Sequence, residues 1–465
     1  MQTHRFASHC RTILPLACSL LVAAIFGASP ARAAGVVGTG TPASCTRSAF
    51  NAALVGGGTV TFNCGPQPHT IQLTRARRIS LDTEINGGNR ITLEASGSNH
   101  FEVLSGGTLV LVNLRLTGGH AEIGGAIVNQ GTTRTNGVTF ADNRSTMAGG
   151  AIVNRGTLVA RRSTFSNNQS ITGGAIWNDG GTVQVDNSSF NGNRATGDGN
   201  SPGGAIANSM GSLSVVRSTF TDNAADLGGA LENEAEATVE SSIFSGNEAR
   251  NGGAISNAGQ LTVDRCSLEG NLADSGGGIY HFGVMLTLTA STLNANLAFS
   301  GGGIYATGNA AYTNSTLSGN QANEFGGGLY QNRGDGKMLY TTVANNFATA
   351  GAGVFKGSVP GSLSLQNTLL ANNSSGNCDG ERPMSLGNNL STDTNCDLTI
   401  MPSDQQGVDA KLGPLANNGG PTRTHLPQSG SPAINAAARV SVTVDQRGIT
   451  RPQRTEPDIG SVEVQ

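Results

Sequence analysis

The sequence predicts an all-β chain built as a parallel β-solenoid, and three observations carry that prediction. A glycine-led hexapeptide recurs ten times through the middle of the 465 residues. A second mark, a large apolar residue followed three positions later by Asn, keeps the same period. Between the marks apolar and polar residues alternate, the period of a strand with one face buried, and no ten-residue helical pattern interrupts them. Two independent marks locked in phase identify a stack of repeats.

The hexapeptide reads GGAIVN at Gly124 and Gly149, GGAIWN at Gly173, GGAIAN at Gly203, GGALEN at Gly228 and GGAISN at Gly252. It continues as GGGIYH at Gly276, GGGIYA at Gly301, GGGLYQ at Gly326 and GAGVFK at Gly351. Its steps are 24 or 25 residues, except for one of 30 where Thr196–Pro202 is inserted. The second mark runs from Phe140/Asn143 to Phe244/Asn247, then from Leu268/Asn271 to Val343/Asn346. Coils stacked about 4.8 Å apart place each repeat position above its equivalent. Columns of Phe or Leu and of Ile or Val should therefore point inward, and the Asn column should form a ladder at a corner that tolerates left-handed backbone. The insertion should bulge from the surface without breaking the stack. A leucine-rich repeat would need Leu-x-x-Leu-x-Leu before the Asn, and a calcium roll an Asp every nine residues; the chain has neither.

Composition agrees. There are 67 glycines, about twice the usual share, and charged residues make up 13% against about 25% in ordinary domains. The glycines are not at every third position, which excludes collagen, and 37% hydrophobic content is enough to fill a core. Arg5 and Arg11, the apolar run Ile13–Phe26 and Ala31-Arg32-Ala33 read as a secretory signal peptide over 1–33. Pro15-Leu16-Ala17 before Cys18 is a poor lipidation signal. No later stretch approaches the ~18 apolar residues of a membrane span, so an exported chain without a transmembrane segment is expected. Its 25 basic and 31 acidic residues give a net charge of −6, which argues against nucleic acid as a partner.

Five cysteines remain after cleavage. An oxidising compartment allows the sequence-near pairs Cys45–Cys64 and Cys378–Cys396, which would staple the two ends. Cys266 falls in the column of Ser163, Ser188, Ser218, Ser242, Ser291 and Ser315, a small inward position, so it should be an inert buried thiol. The expected organisation is an N-terminal cap with a short helix near Ser44–Leu54 and irregular first coils over 34–119, regular coils over 120–373, and an irregular C-terminal cap over 374–465.

The GGAI and Phe-x-x-Asn marks resemble the repeats of chlamydial polymorphic outer-membrane proteins and of bacterial right-handed parallel β-helix surface proteins. The tail resembles the choice-of-anchor Q domain, through Asn388-Asn389-Leu390-Ser391-Thr392-Asp393, Leu412-Gly413-Pro414-Leu415, Asn418-Gly419-Gly420-Pro421-Thr422, Ser431-Pro432-Ala433-Ile434, Asp445-Gln446-Arg447-Gly448 and Asp458-Ile459-Gly460. The resemblance implies a right-handed, pectate-lyase-like solenoid that is secreted or displayed at the bacterial cell surface or outer membrane.

Two sets of residues are candidates for function. At the corner before each inward small residue, Glu240 and Asp264 should be adjacent, flanked by Arg217 and Arg265, and could serve as acid and base on a sugar chain. Alternating charge on a solvated corner explains the same pattern without catalysis. The variable position of GGAIxN carries Trp177, Tyr280, Tyr305, Tyr330 and Phe355, which alternation places on the outer face as a platform for a glycan or a protein. Each ring of the last four could lie over its own glycine, Gly278, Gly303, Gly328 or Gly353. An outward Thr/Ser column (Thr139, Thr164, Ser189, Thr219, Ser267, Thr292, Thr316) is broken by Ile243 and reflects β-propensity. The reading is a non-catalytic surface or matrix protein, a monomer without cofactor, that meets an extracellular polysaccharide or surface protein. The alternative is a polysaccharide lyase or glycoside hydrolase, with calcium only in the lyase case.

Overall fold

Short strands and left-handed corners shape every coil. In one of them Ile152–Asn154 is followed by Thr157–Arg161, a corner at Arg162 (φ 46°), Thr164–Ser166, a corner at Asn167 (φ 54°), Gln169–Ser170 and the glycine bend at Gly173 (φ 62°). The structure, a computed structural model, describes residues 35–197 and 199–465; the signal peptide over 1–33 lies outside the described residues. Coils repeat as a parallel β-solenoid of about 14 turns, giving one 13-stranded sheet of hexapeptide strands and two 15-stranded sheets. The register is that of the repeat: Ile127 pairs with Ile152, and Phe140 with Phe165.

Inside, Phe140, Phe165, Phe190, Phe220 and Phe244 stack with centroids 4.6–4.8 Å apart and planes within 6°. The strand spacing sets that distance, and the close-packed interior holds the rings parallel. Beside them runs the Asn ladder. Asn168 Nδ2 donates to Asn193 Oδ1 at 2.9 Å and to the Phe140 carbonyl at 3.0 Å, and the Asn168 amide nitrogen also donates to Asn193 Oδ1. The left-handed residue is not the ladder Asn but the one before it, such as Asp142, Asn167, Asp222 or Asn345. That preceding residue turns the chain, and the Asn that follows points its amide inward. A second ladder joins the last residue of each hexapeptide from Asn129 to Asn257, and then passes to His281.

Cys266 lies in a third ladder. From Ser188 to Ser315 each serine Oγ of its column accepts the backbone N–H of the coil before, and Cys266 Sγ takes the place of one acceptor, 3.4 Å from Ser242 N. It is free and fully buried, and burial pushes its thiol up to about 12. Cys45–Cys64 and Cys378–Cys396 are bonded, closing loops of 19 and 18 residues that each contribute roughly 3 kcal/mol in the chain-entropy account.

The front end is covered by the helix Arg47–Ala53, with the Thr46 hydroxyl accepting from Ala49 N and Phe50 and Ala53 turned to the core. The inserted segment bulges while Ile176 and Ile206 stay in register across it. It is pinned where Ser201 N donates to Asp226 Oδ2 at 2.8 Å and where Arg250 donates to the Gly199 carbonyl. At the back, strands continue through Leu390–Ser391 to Gln405–Gln406. The chain beyond then turns back along the outside of the solenoid. Its residues bond to the outward threonines of three consecutive coils and to a backbone carbonyl of the next: Thr292 Oγ1 donates to the Arg423 carbonyl, Thr316 Oγ1 to Gln446 Oε1, Ser461 N donates to Thr342 Oγ1, and Gly460 N to the Asn367 carbonyl two residues before Leu369. The tail holds a buried ionic knot in which Arg451 pairs with Glu463 at 2.9 Å and lies 4.2 Å over the Tyr340 ring.

Candidate functional site

The hexapeptide strand does not alternate throughout, and this decides which side chains reach its surface. Ala126 N and Ile127 N both donate to the Ala151 carbonyl, and the coils up to Gly278 and Ile279 repeat this shared bond. The local kink turns the third and fourth hexapeptide residues both toward the interior. A Cβ added at Gly278 would come 3.0 Å from Leu293 Cδ2, and one at Gly303 3.2 Å from Asn320 Nδ2, both interior groups. The third-position glycines therefore face inward, and the expectation that each ring covers its own is corrected. The glycine beneath the ring is the first of the hexapeptide: a Cβ at Gly301 or Gly326 would stand 2.8 Å from the Cβ of Tyr305 or Tyr330.

The variable position does face outward, but small residues there do not emerge. Val153, Ala207 and Ser256 are fully buried and Glu232 is 2% exposed, with burial and then Glu234 holding its carboxyl well above the usual range. The strand is only three residues long and lies between two bends, and only the aromatic side chains of the column clear the rim. Tyr280, Tyr305, Tyr330 and Phe355 do clear it and are half-buried. They pair in register, with centroids 5.4, 4.8 and 5.2 Å apart and planes inclined by 30°, 69° and 86°.

Two rings that sequence reasoning missed complete the surface. Phe282, 44% exposed, lies 5.4 Å from Tyr280, and Phe325 lies 4.6 Å from Phe355 and 5.9 Å from Tyr330. Their signal was position: Phe282 is two residues beyond Tyr280, and Phe325 directly precedes the three glycines Gly326–Gly328. Asn332 joins two phenols, donating to Tyr305 Oη at 3.1 Å and accepting from Tyr330 Oη. Burial first, then neighbouring phenols, raises the ionisation of Tyr280 and Tyr330, so the hydroxyls stay protonated donors at neutral pH. Trp177 stands apart, beyond the coils of Ala207, Glu232 and Ser256, with Nε1 donating to Ser209 Oγ and the Arg155 guanidinium 5.9 Å above its ring.

At the acidic corner Glu240 and Asp264 are cross-strand neighbours, and Arg265 pairs with both. Arg217 does not join them; it turns to Asp186 of the coil before. Each of these arginines occupies a left-handed corner, and that geometry sends its side chain back along the stack. Burial, ahead of the opposing pull of Arg265, raises the Asp264 carboxyl. Among the described residues no three His, Cys, Asp or Glu side chains gather as a metal site would need, and Arg265 already engages both carboxylates, which does not suit a calcium ion.

The repeat matches the family model for the Chlamydia polymorphic membrane protein (Chlamydia_PMP) repeat at residues 162–179 and 241–258. Each matched segment runs from a left-handed corner through Phe-x-x-Asn to the end of the next hexapeptide. No curated protein matches the chain. Among solved structures, the crystal structure of pectate lyase Pel9A is similar over 90% of this chain and 91% of that chain, at 13% identity and a TM-score of 0.28.

Proposed function

We propose that the protein is a secreted or surface-associated, non-catalytic binding protein whose ligand face is the aromatic row from Tyr280 to Phe355. The observation that carries this reading is the row itself. Four consecutive coils expose rings where Val153, Ala207, Glu232 and Ser256 of the same column are buried, and a run of apolar rings facing water marks a contact surface. A chain of sugars offers flat C–H faces to rings and hydroxyls to the Tyr305–Asn332–Tyr330 bridge, so a polysaccharide is the partner that fits. The polymorphic membrane protein repeats, and a tail that resembles the choice-of-anchor Q domain, support display at the bacterial surface. Tyr280→Ser, Tyr305→Ser and Tyr330→Ser together should abolish retention in polysaccharide affinity gels while circular dichroism stays strand-like. Unchanged retention would remove the reading.

A second reading, polysaccharide lyase or hydrolase, draws on the raised Asp264 carboxyl beside Glu240 and Arg265. Two carboxyl groups side by side on one corner are the arrangement in which one can give a proton and the other take one. Purified protein incubated with acidic and neutral polysaccharides should then form unsaturated products, read at about 235 nm for a lyase, or new reducing ends, and lose both with Asp264→Asn.

A further inference from the structure

The charges that frame the aromatic row are mostly of one sign. Along one side runs the column Asp274, Phe299 and Glu324, rung to rung, with Phe299 N donating to the Asp274 carbonyl and Glu324 N to that of Phe299. Asp274 and Phe299 are exposed and Glu324 is half-buried. Burial first, then Tyr305 and Glu324, holds the Tyr330 phenol above its usual range, so the Glu324 charge is felt at the ring. The row ends on Asp379, an exposed residue next in register after Phe355, and Gly380 beside it packs on that ring. The other side offers Phe282, Thr307 and Asn332, which are uncharged.

The cations nearby are few or engaged. Lys356 is 2% exposed, and its ammonium donates to the carbonyls of Gly357 and Val359 and pairs with Glu381. Arg250 is turned to the Gly199 carbonyl, away from the row. Arg333 is exposed beside Asn332, with Asp335 two residues on. A ligand laid along the rings therefore runs beside Asp274, Glu324 and Asp379, with exposed Arg333 at its border and Arg382, paired with Asp397, beyond Asp379.

From this frame we infer that the row selects glycans carrying no negative charge, excludes polyuronates and sulfated chains, and holds amine-bearing chains most tightly. The inference rests on the glycan-binding reading and names the class of chain that reading leaves open. An anionic chain would bring like charges together over low-dielectric rings, whereas an ammonium is attracted both by ring faces and by the carboxylates.

Binding of the immobilised full chain to a neutral β-glucan, chitosan and polygalacturonate, followed by interferometry at 50 and 500 mM NaCl, separates the possibilities. Chitosan should bind at least tenfold tighter than the β-glucan at low salt and approach it at high salt, and polygalacturonate should not bind at 50 mM. The variant Asp274→Asn/Glu324→Gln/Asp379→Asn should lose the chitosan advantage and keep its β-glucan affinity. Polygalacturonate binding the native protein as tightly as the β-glucan would overturn the charge selection while leaving the platform standing. Binding that survives replacement of Tyr280, Tyr305 and Tyr330 by Ser, or no binding to any of the three chains, would overturn the platform itself.

Discussion

The coils from Gly124 to Gly252 and those from Gly276 to Gly351 share one backbone, but the continuous row of rings runs inside the wall in the first group and outside it in the second. In the first group the stacked phenylalanines are inside, parallel within 6°, and the outward position holds Val153, Ala207 or Glu232 below the rim, with Trp177 alone outside. In the second, Leu293, Leu317 and Val343 replace the inner rings, and Tyr280, Tyr305, Tyr330 and Phe355 stand outside at angles of 30–86°. The ladder shows the same division. It is pure Asn in the first group and becomes His281, Ala306, Gln331 and Lys356 in the second. Uniform coils supply rigidity; the coils that depart from the repeat supply the surface.

The sharpest break of this contrast is Phe190→Ala against Tyr305→Ala. The first leaves a cavity between two stacked rings and should cost about 3–5 kcal/mol, read as a large fall in melting temperature. The second removes half-exposed contacts and should cost about 1 kcal/mol. Equal losses would mean that the outer row is part of the core. Asn193→Ala comes next: it strands Asn168 N and the Phe165 carbonyl inside, for about 2–4 kcal/mol.

Acid should find the altered coils before the uniform ones. His281 Nε2 faces the Asn309 carbonyl, so Nδ1 must accept from Asn257 Nδ2, which requires the neutral ring. Burial lowers the ionisation of His281, and likewise that of His425, which links the tail to Ser318. Both therefore stabilise the fold above the unfolded value of about 6.5, and this contribution is lost as pH falls below it. In the irregular front coils, burial holds His100 down to about 4, with the same sign. Hydrogen exchange at pH 5 should show opening around residues 281 and 425 while coils 149–250 stay protected, and His281→Asn should remove the first effect. The smallest change is Cys266→Ser, which restores the serine ladder and should shift stability by less than about 1 kcal/mol. The native thiol should resist alkylation at pH 8, where burial keeps it protonated.

Much of this was legible because a solenoid converts sequence period into spatial column. The inward Phe and Ile positions, the paired cysteines and the place of Cys266 follow from counting, since each repeat position meets only its own copies. What counting misses is local geometry and contacts without a period. The bend within the hexapeptide breaks strict alternation: the Ala126 position and the third-position glycines Gly278 and Gly303 face inward together with the residue that follows. Arg217 leaves Glu240 because a left-handed corner aims it at the coil before. The docking of the tail on Thr292, Thr316 and Thr342 joins residues more than 100 positions apart, and nothing in the repeat announces it.

That docked tail changes how the molecule carries load. A solenoid pulled from its last coil can peel one rung at a time, each rung yielding alone. Here Gly460 and Ser461 are tied to Asn367, Thr316 and Thr342, and Arg423 and Gln446 to Thr292. A force applied at Gln465 enters the stack from its flank and is shared in shear among several coils. The rungs must then slip together, so the tail acts as a seam that converts peeling into a cooperative rupture.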